Sequence, residues 1–477
     1  MPPKLALLIC IVYVFFLLKV EQKRAPKLSG ALWIPSLWML QVASKPLGTW
    51  FGSGGEEGGS ALDQVFLSTV LVLGLIVLAS RGFSYARAIR DNPALIMLVV
   101  YMFFSVFWSD MLFIALKRWI REVIAVVMAF VILSEPDPRQ AMRSLLTRTI
   151  YILIPFSLIL IKYFPEYGIQ YRAMGGQMWI GVAMQKNGLG RLCLIAAFFL
   201  IWTLIRRRQK RDDAVGKHQT LADVSVLMLT LFIMSGPGGQ YSATALISLA
   251  GGLAAFMGLL WAKKHRIAVG AGSLAALMIF IFGLGTLQPF LGGAIIKGIS
   301  SNFQRDVTLT GRTEIWAGLM PDVMRSPVLG SGFASFWNPI TVELHEIGEA
   351  HSGYLDVILD TGFVGLLFLA IFLISSCRKA QRELQSDFDF GCLWICYLLM
   401  ALVHNITESS FDSLTSPLPA IILFLTVMPA TVTSSISKKD IESSTLPHKR
   451  FVVSRKKKTS ASLSSRGGVP GWFIDKT

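Results

Sequence analysis

Apolar runs of membrane-spanning length recur along most of the chain, separated by short segments rich in Lys, Arg, Gly and Ser. A run of about twenty apolar residues is the length that crosses a bilayer core as a helix. On this pattern the sequence predicts helices near 5–18, 31–43, 61–80, 94–108, 119–133, 149–163, 187–205, 221–235, 242–262, 267–287, 353–376, 391–405 and 418–433. The fold class expected is therefore all-α, a polytopic integral membrane protein with about 12–13 transmembrane helices. The stretch 5–18 reads as a retained first helix, since no small-residue cleavage site follows it before Lys19 and Lys23.

Composition sharpens this reading. Of the 477 residues 53% are hydrophobic and 16% charged, and mean hydropathy is +0.58. The net charge of +16 would suggest nucleic acid in a soluble protein. Here the basic residues concentrate in short loops such as 206–211, 263–266 and 377–382, and in the tail at 455–458. All four fall on one side under this count, so that side is expected to be cytoplasmic, and no nucleic-acid partner is implied. The five cysteines, Cys10, Cys193, Cys377, Cys392 and Cys396, show neither a disulfide framework nor zinc spacing.

The expected organisation is a membrane domain over 1–433, with a large folded outward loop over 288–352, and a basic, disordered cytoplasmic tail over 434–477. A structureless loop as long as 288–352 is uncommon in a compact protein, so it should fold and carry function.

That loop ends in a stretch, Glu343 to Gly362, that holds two histidines and three glutamates directly before an apolar run. If Ser352 caps the next helix, His351 lies just outside the positive end of the helix dipole, which favours a neutral ring able to accept a proton. The plainer alternative is an interfacial histidine satisfied by backbone or water, and His345 is expected to be a solvated loop residue. Glu349 stands where a zinc-protease pattern starting at His345 would need its second histidine, so no metal is expected. Asp356 and Asp360, four apart on the following span, should face the protein interior or a watery cavity. Lys186 and Asn187 stand at the mouth of a helix, with Arg191 one turn inside it, and Arg305, Arg312 and Arg325 lie in the long loop. Ser242 is expected to cap the helix it opens.

Taken in order, six pieces resemble the bacterial O-antigen ligase and polysaccharide polymerase superfamily, most closely its exopolysaccharide-production polymerases. They are Gln185-Lys-Asn-Gly-Leu-Gly190, Ser242-Ala-Thr-Ala-Leu246, Leu309-Thr-Gly-Arg-Thr-Glu-Ile-Trp316, Gly330-Ser-Gly-Phe-Ala-Ser-Phe-Trp337, Ala350-His-Ser-Gly-Tyr354 with Gly362-Phe-Val-Gly365, and Asn405-Ile-Thr-Glu-Ser409. They make 165–411 the ligase-like core. The chain departs from the family pattern at Gln185, Ala243 and Ser352, where many relatives carry histidine, arginine and asparagine.

The resemblance implies a metal-independent, inverting glycosyl transfer at the periplasmic face of the bacterial inner membrane, without a cofactor. The donor would be a glycan on polyprenyl (undecaprenyl) pyrophosphate, and the acceptor a glycan or lipid A-core hydroxyl. Partners in chain-length control and export are implied as well. By the same resemblance His351 is the base, and Arg172, Lys186, Arg191 and Arg312 hold the pyrophosphate. By residue type Trp316, Trp337 and Tyr354 are expected to contact glycan, with anchoring at the membrane interface the plainer alternative for the tryptophans. The rival from another class is a transporter or flippase of lipid-linked sugars, since polar groups within spans also suit a translocation path.

Overall fold

The computed structural model describes residues 1–52, 59–171, 176–210, 217–237, 242–268, 270–292 and 310–428. Arg172, Arg305 and the basic tail expected over 434–477 lie outside the described residues. The architecture is helical, as the apolar pattern predicts. Among the described residues eight helices are long and apolar enough to cross a membrane, and four shorter apolar helices accompany them. The one sheet described there is a two-stranded hairpin, Ile169–Tyr171 against Gln177–Trp179, antiparallel with Ile169 opposite Trp179.

Burial within these helices separates an inner from an outer set. Helix Ala61–Ser80 buries Leu67, Val70, Gly74 and Leu78, a stripe at helical spacing, and exposes Val65, Val72, Leu73 and Ile76. Both faces are apolar, so the outer one is matched to lipid rather than water. Helix Phe388–His404 is buried almost all round, and Ala243–Lys264 and Gly353–Ser386 pack directly against it. The approach of the first is close because Gly252 faces the Met400 side chain, which a Cβ there would overlap. Such glycine-lined contacts are how helices associate when the surrounding solvent is itself apolar. All five cysteines are free and buried, as packing residues.

Helix Gly353–Ser386 departs from the single span expected over 353–376. Its 34 residues would run about 50 Å at ~1.5 Å per residue, well beyond a hydrocarbon core of about 30 Å. The helix breaks at Gly362, which takes φ 65° and ψ −171°, a conformation that favours glycine. The amides freed by the break are satisfied by the segment that precedes this helix in the loop. Phe363 donates to the Pro327 carbonyl at 2.9 Å and Val364 to that of Val328 at 3.2 Å, while Ser331 donates back to Leu359 at 2.9 Å. Irregular backbone at this depth is tolerated because it is buried in protein and paired.

The two aspartates of the broken turn fasten the loop. Asp360 Oδ1 accepts the amides of Ser335 and Phe336, both at 2.9 Å. Asp356 Oδ1 accepts Trp337 Nε1 at 2.8 Å and the Ala350 amide at 3.0 Å, and its other oxygen accepts the Ser409 hydroxyl. Both carboxylates thus face the interior, and their partners make them structural clamps.

Candidate functional site

The long loop contributes helix Thr310–Arg325 and the short helix Pro339–His345, and then returns through Glu349 and Ala350 to His351. His345 is not the solvated residue expected. Its Nε2 lies 3.0 Å from Asp322 Oδ2, with 15% of the side chain exposed, and so it clips the two loop helices together.

His351 itself is over-determined. Before it, Ala350 donates its amide to Asp356 and accepts Trp316 Nε1 on its carbonyl at 2.9 Å. After it, Ser352 caps the following helix as expected, accepting the Leu355 amide at 3.5 Å. The Gly353 amide reaches the carbonyls of Asn405 and Glu408, each at 3.0 Å. Gly353 permits this approach, since a Cβ would collide with the Asn405 side chain. Between these anchors His351 adopts φ 50°, an unfavourable region for a residue with a side chain and one that persists only where the surroundings enforce it.

Around the ring stand Glu349, Glu408 and Arg312. His351 Nδ1 is 3.0 Å from Glu349 Oε1, although the ring N–H direction is out of line for a good hydrogen bond. Glu349 also accepts Gln185 Nε2 at 3.1 Å. Glu408, with 1% of its side chain exposed, forms an ion pair with Arg312 and accepts Asn187 Nδ2 at 2.8 Å on the same oxygen. One further hydrogen bond, Thr244 Oγ1 to Thr407 Oγ1 at 2.8 Å, ties the Ser242-capped helix to this loop. Ser242 does cap that helix, accepting the Ala245 amide at 3.4 Å. Five of the six sequence pieces therefore meet at one end of the bundle, and the sixth, Gly330 to Trp337, braces them through Asp356 and Asp360.

The electrostatics reverse one expectation. The contact with Glu349 raises His351 above its ordinary 6.5, with the Glu408 charge adding to it, against burial and Arg312. The two acids thus make the ring more basic than its place at a helix N-terminus suggested. For Glu349, burial disfavours the charge, but His351, Gln185 and Arg191 together hold the carboxyl below its ordinary value. Burial pushes Glu408 up, with Glu349 adding to the rise and Arg312, His351 and Arg191 opposing it.

The remaining residues singled out in the sequence separate into two groups. Lys186 is half-buried and lines a small cavity with Trp179, Gly190 and Ser242. Trp337 is half-buried, its indole N–H given to Asp356. Arg191 is drawn inward, donating to Ser416 Oγ at 2.5 Å and to the Ser409 carbonyl at 3.2 Å. Trp316 is 1% exposed and Tyr354 wholly buried, its hydroxyl donating to the Leu402 carbonyl at 2.9 Å. Neither ring presents a face that a sugar could stack on; in this conformation both are packing residues that support the His351 loop.

Glu349, His351 and Glu408 are also the group of described residues whose ligand atoms lie close enough, within 4.8 Å of one another, to hold a metal ion. Glu408 already carries Arg312, so a cation there would compete with a guanidinium. Sequence reasoning undervalued Glu349 and Glu408. The Glu-x-His spacing before a capped helix was a usable signal for the first. The second lies in the Asn405–Ser409 piece already singled out, but its place beside the ring depends on the fold, since it arrives from another loop.

Residues 224–370 match the O-antigen ligase family. The chain is 22% identical over 305 residues to the exopolysaccharide production protein ExoQ of Rhizobium meliloti (strain 1021), an alignment that covers 60% of this chain and 65% of that protein. The matched stretch contains Arg312, Trp316, Glu349 and His351, and both likenesses support the O-antigen ligase and polysaccharide polymerase family, near the exopolysaccharide production proteins.

Proposed function

We propose that this protein is a glycosyltransferase of polysaccharide assembly, moving a glycan from polyprenyl pyrophosphate to a sugar hydroxyl, with His351 as general base. The observation that carries the reading is the pairing of His351 with Glu349, set beside Arg312 and Glu408 at one end of a membrane bundle. With Nδ1 turned to Glu349, Nε2 is left for the acceptor hydroxyl. As the acceptor oxygen bonds to the anomeric carbon and the bond to pyrophosphate breaks, the hydroxyl proton passes to Nε2. Direct displacement of this kind inverts the anomeric centre. A positioned base adds about 10²–10⁴ in rate.

The departing pyrophosphate needs its growing charge met. A guanidinium a few ångströms away near the protein surface contributes on the order of 4 kcal/mol. Arg312 is the cation whose charge acts on His351, and Lys186, Arg191 and Arg172 are the others proposed to face the phosphates. Arg312 is held by Glu408 at rest, so phosphate oxygens would share or displace that carboxylate. We place this end of the bundle at the periplasmic face of the bacterial inner membrane, because the basic loops mark the opposite side as cytoplasmic.

Between the two reactions of the family, polymerisation is favoured over ligation to lipid A-core by the relative's role in exopolysaccharide production. The test is the glycan profile of a strain lacking the protein, complemented with wild type or His351→Ala. Single repeat units accumulating on the lipid carrier, with loss of long secreted chains, mark a polymerase. Long chains that stay on the carrier mark a ligase. Normal product from His351→Ala, expressed and membrane-inserted, rules out the base.

A further inference from the structure

A cavity of about 380 Å³ opens at the other end of the bundle, between helices Pro3–Arg24, Pro138–Tyr163, Lys186–Lys210 and Lys217–Ser235. Lys186 and Arg206 share one of these helices and lie roughly 30 Å apart along it at ~1.5 Å per residue. The cavity is thus remote from His351 and independent of the reading given for that site.

Its walls carry Lys23, Arg24, Arg143, Arg206 and Arg207, and only Glu21 among acids. The neighbouring carboxylates are already engaged. Glu21 meets Arg148 at 3.0 Å and accepts the Ser144 hydroxyl. Asp223 takes Arg24 at 3.1 Å, Arg207 at 2.5 Å and the Tyr151 hydroxyl. Arg206 has Asp389 at 3.5 Å, out of line.

Arg143 is left over. Among the described residues its guanidinium has no carboxylate within ion-pair distance and no hydrogen-bond partner, and Asp387, Asp137 and Asp389 act on it only from farther off. Its guanidinium is held by two rings, Trp202 at 5.6 Å and Phe390 at 5.7 Å. The same Trp202 ring carries Arg206 at 5.5 Å. Arg143 Nε and Thr203 Oγ1 are both buried without partners.

Two guanidinium groups held on one indole repel each other, and buried donors without acceptors are costly. One anion relieves both, provided it offers several acceptor oxygens to donors converging from different helices. A carboxylate presents two oxygens in a plane. A phosphoryl group presents a tetrahedral set and accepts paired N–H bonds from arginine.

We propose that this cavity binds the phosphoryl group of a phosphate ester, gripped by Arg143 and Arg206, with Thr203 donating its hydroxyl and Lys23 at the mouth. The space exceeds that of a bare phosphate ion, which leaves room for the ester's organic part. Two sources share this chemistry: an anionic phospholipid headgroup drawn from the adjoining leaflet, and a soluble phosphomonoester.

The test uses the full chain purified in detergent, as wild type, Arg143→Gln and Arg143→Lys. Retention of phosphatidylglycerol against phosphatidylcholine is read by native mass spectrometry, and binding of glycerol 3-phosphate by calorimetric titration. One of the two phosphate probes should bind wild type at least about tenfold more tightly than Arg143→Gln, the loss of one charge-assisted hydrogen bond. Arg143→Lys should fall between them. Selective loss of phosphatidylglycerol assigns the lipid source, and selective loss of glycerol 3-phosphate the soluble one. Arg206→Gln and Thr203→Val give the same reading if Arg143→Gln does not yield folded protein. Equal binding of both probes by wild type and the folded variants overturns the proposal.

Discussion

Glu349 Oε1 lies 3.0 Å from His351 Nδ1, and the backbone holds the histidine at φ 50° to keep the two side by side. The acid raises the imidazole above 6.5, so the neutral ring that can accept a proton is lost as pH falls through a value higher than that. Transfer by wild type should therefore rise with pH along a limb above 6.5 and then level off. In Glu349→Gln the limb should move to lower pH, because the chief cause of the raised value is gone. The plateau should also fall by about tenfold or more, since the ring loses its orienting partner. A limb that stays in place in Glu349→Gln removes the acid from the mechanism.

Arg312 and Glu408 can be separated by a pair of substitutions. Arg312→Gln leaves a carboxylate with 1% exposure without its cation, a change that costs stability as well as any charge aimed at pyrophosphate. The double variant Arg312→Gln with Glu408→Gln removes both charges and should recover much of the thermal stability. Its transfer activity should stay at least about 100-fold below wild type, because one guanidinium contributes on the order of 4 kcal/mol to charge developing nearby. Recovery of both stability and activity in the double variant would reduce Arg312 to a structural partner.

The helical, membrane-spanning character was legible because apolar runs report their solvent directly. His351 was legible as well, since Ser352 caps the next helix as its sequence position suggests. The break at Gly362 was not, because a glycine in an apolar run reads the same whether the helix continues or stops; the backbone of Pro327 and Val328 decides it. The raised basicity of His351 was only half legible: Glu349 stands two residues before it in the chain, but that its carboxylate meets Nδ1 depends on the fold, and Glu408 reaches the ring from a loop after a further span. Trp316 and Tyr354 resemble sugar platforms by residue type, and only packing distinguishes a stacking face from a buried ring.

Trp316 tests that distinction. Its indole N–H is bound to the buried Ala350 carbonyl at 2.9 Å, one residue before His351. Trp316→Phe keeps most of the apolar volume and leaves that carbonyl unpaired, at a cost of about 1–3 kcal/mol. The expected outcome is a lower Tm and a lower kcat, with KM for the glycan substrates close to wild type. A large rise in KM at unchanged Tm would instead point to direct sugar contact.

Gly362→Ala should be among the most damaging small substitutions. An added Cβ at φ 65° is strained, and it would also meet the Val328 carbonyl and the Leu329 amide at the join between loop and helix. Backbone strain of this kind costs about 1–3 kcal/mol before any overlap is counted. The variant should lose folded yield in the membrane, as read by detergent-solubilised monodisperse protein. Gly251→Ala, where a Cβ has open space, is the matched control and should behave as wild type.

The cluster of Glu349, His351 and Glu408 within 4.8 Å makes metal dependence a sharp question. A divalent ion bound there needs a neutral imidazole and free carboxylate oxygens. Glu408 is already paired with Arg312, and the same acids that could ligate a metal favour a proton on His351. Bringing an ion in would set two positive charges against the guanidinium at close range. EDTA should therefore leave transfer unchanged, and added Mg²⁺, Mn²⁺ or Zn²⁺ should not raise it. Substituting the cation separates the cases further. In Arg312→Gln the carboxylate is released, so any latent metal affinity should grow there first, measured as ion retained after desalting. Loss of wild-type activity in EDTA, restored by one specific divalent ion, would overturn the metal-free mechanism and recast Arg312 as a gate on the metal site.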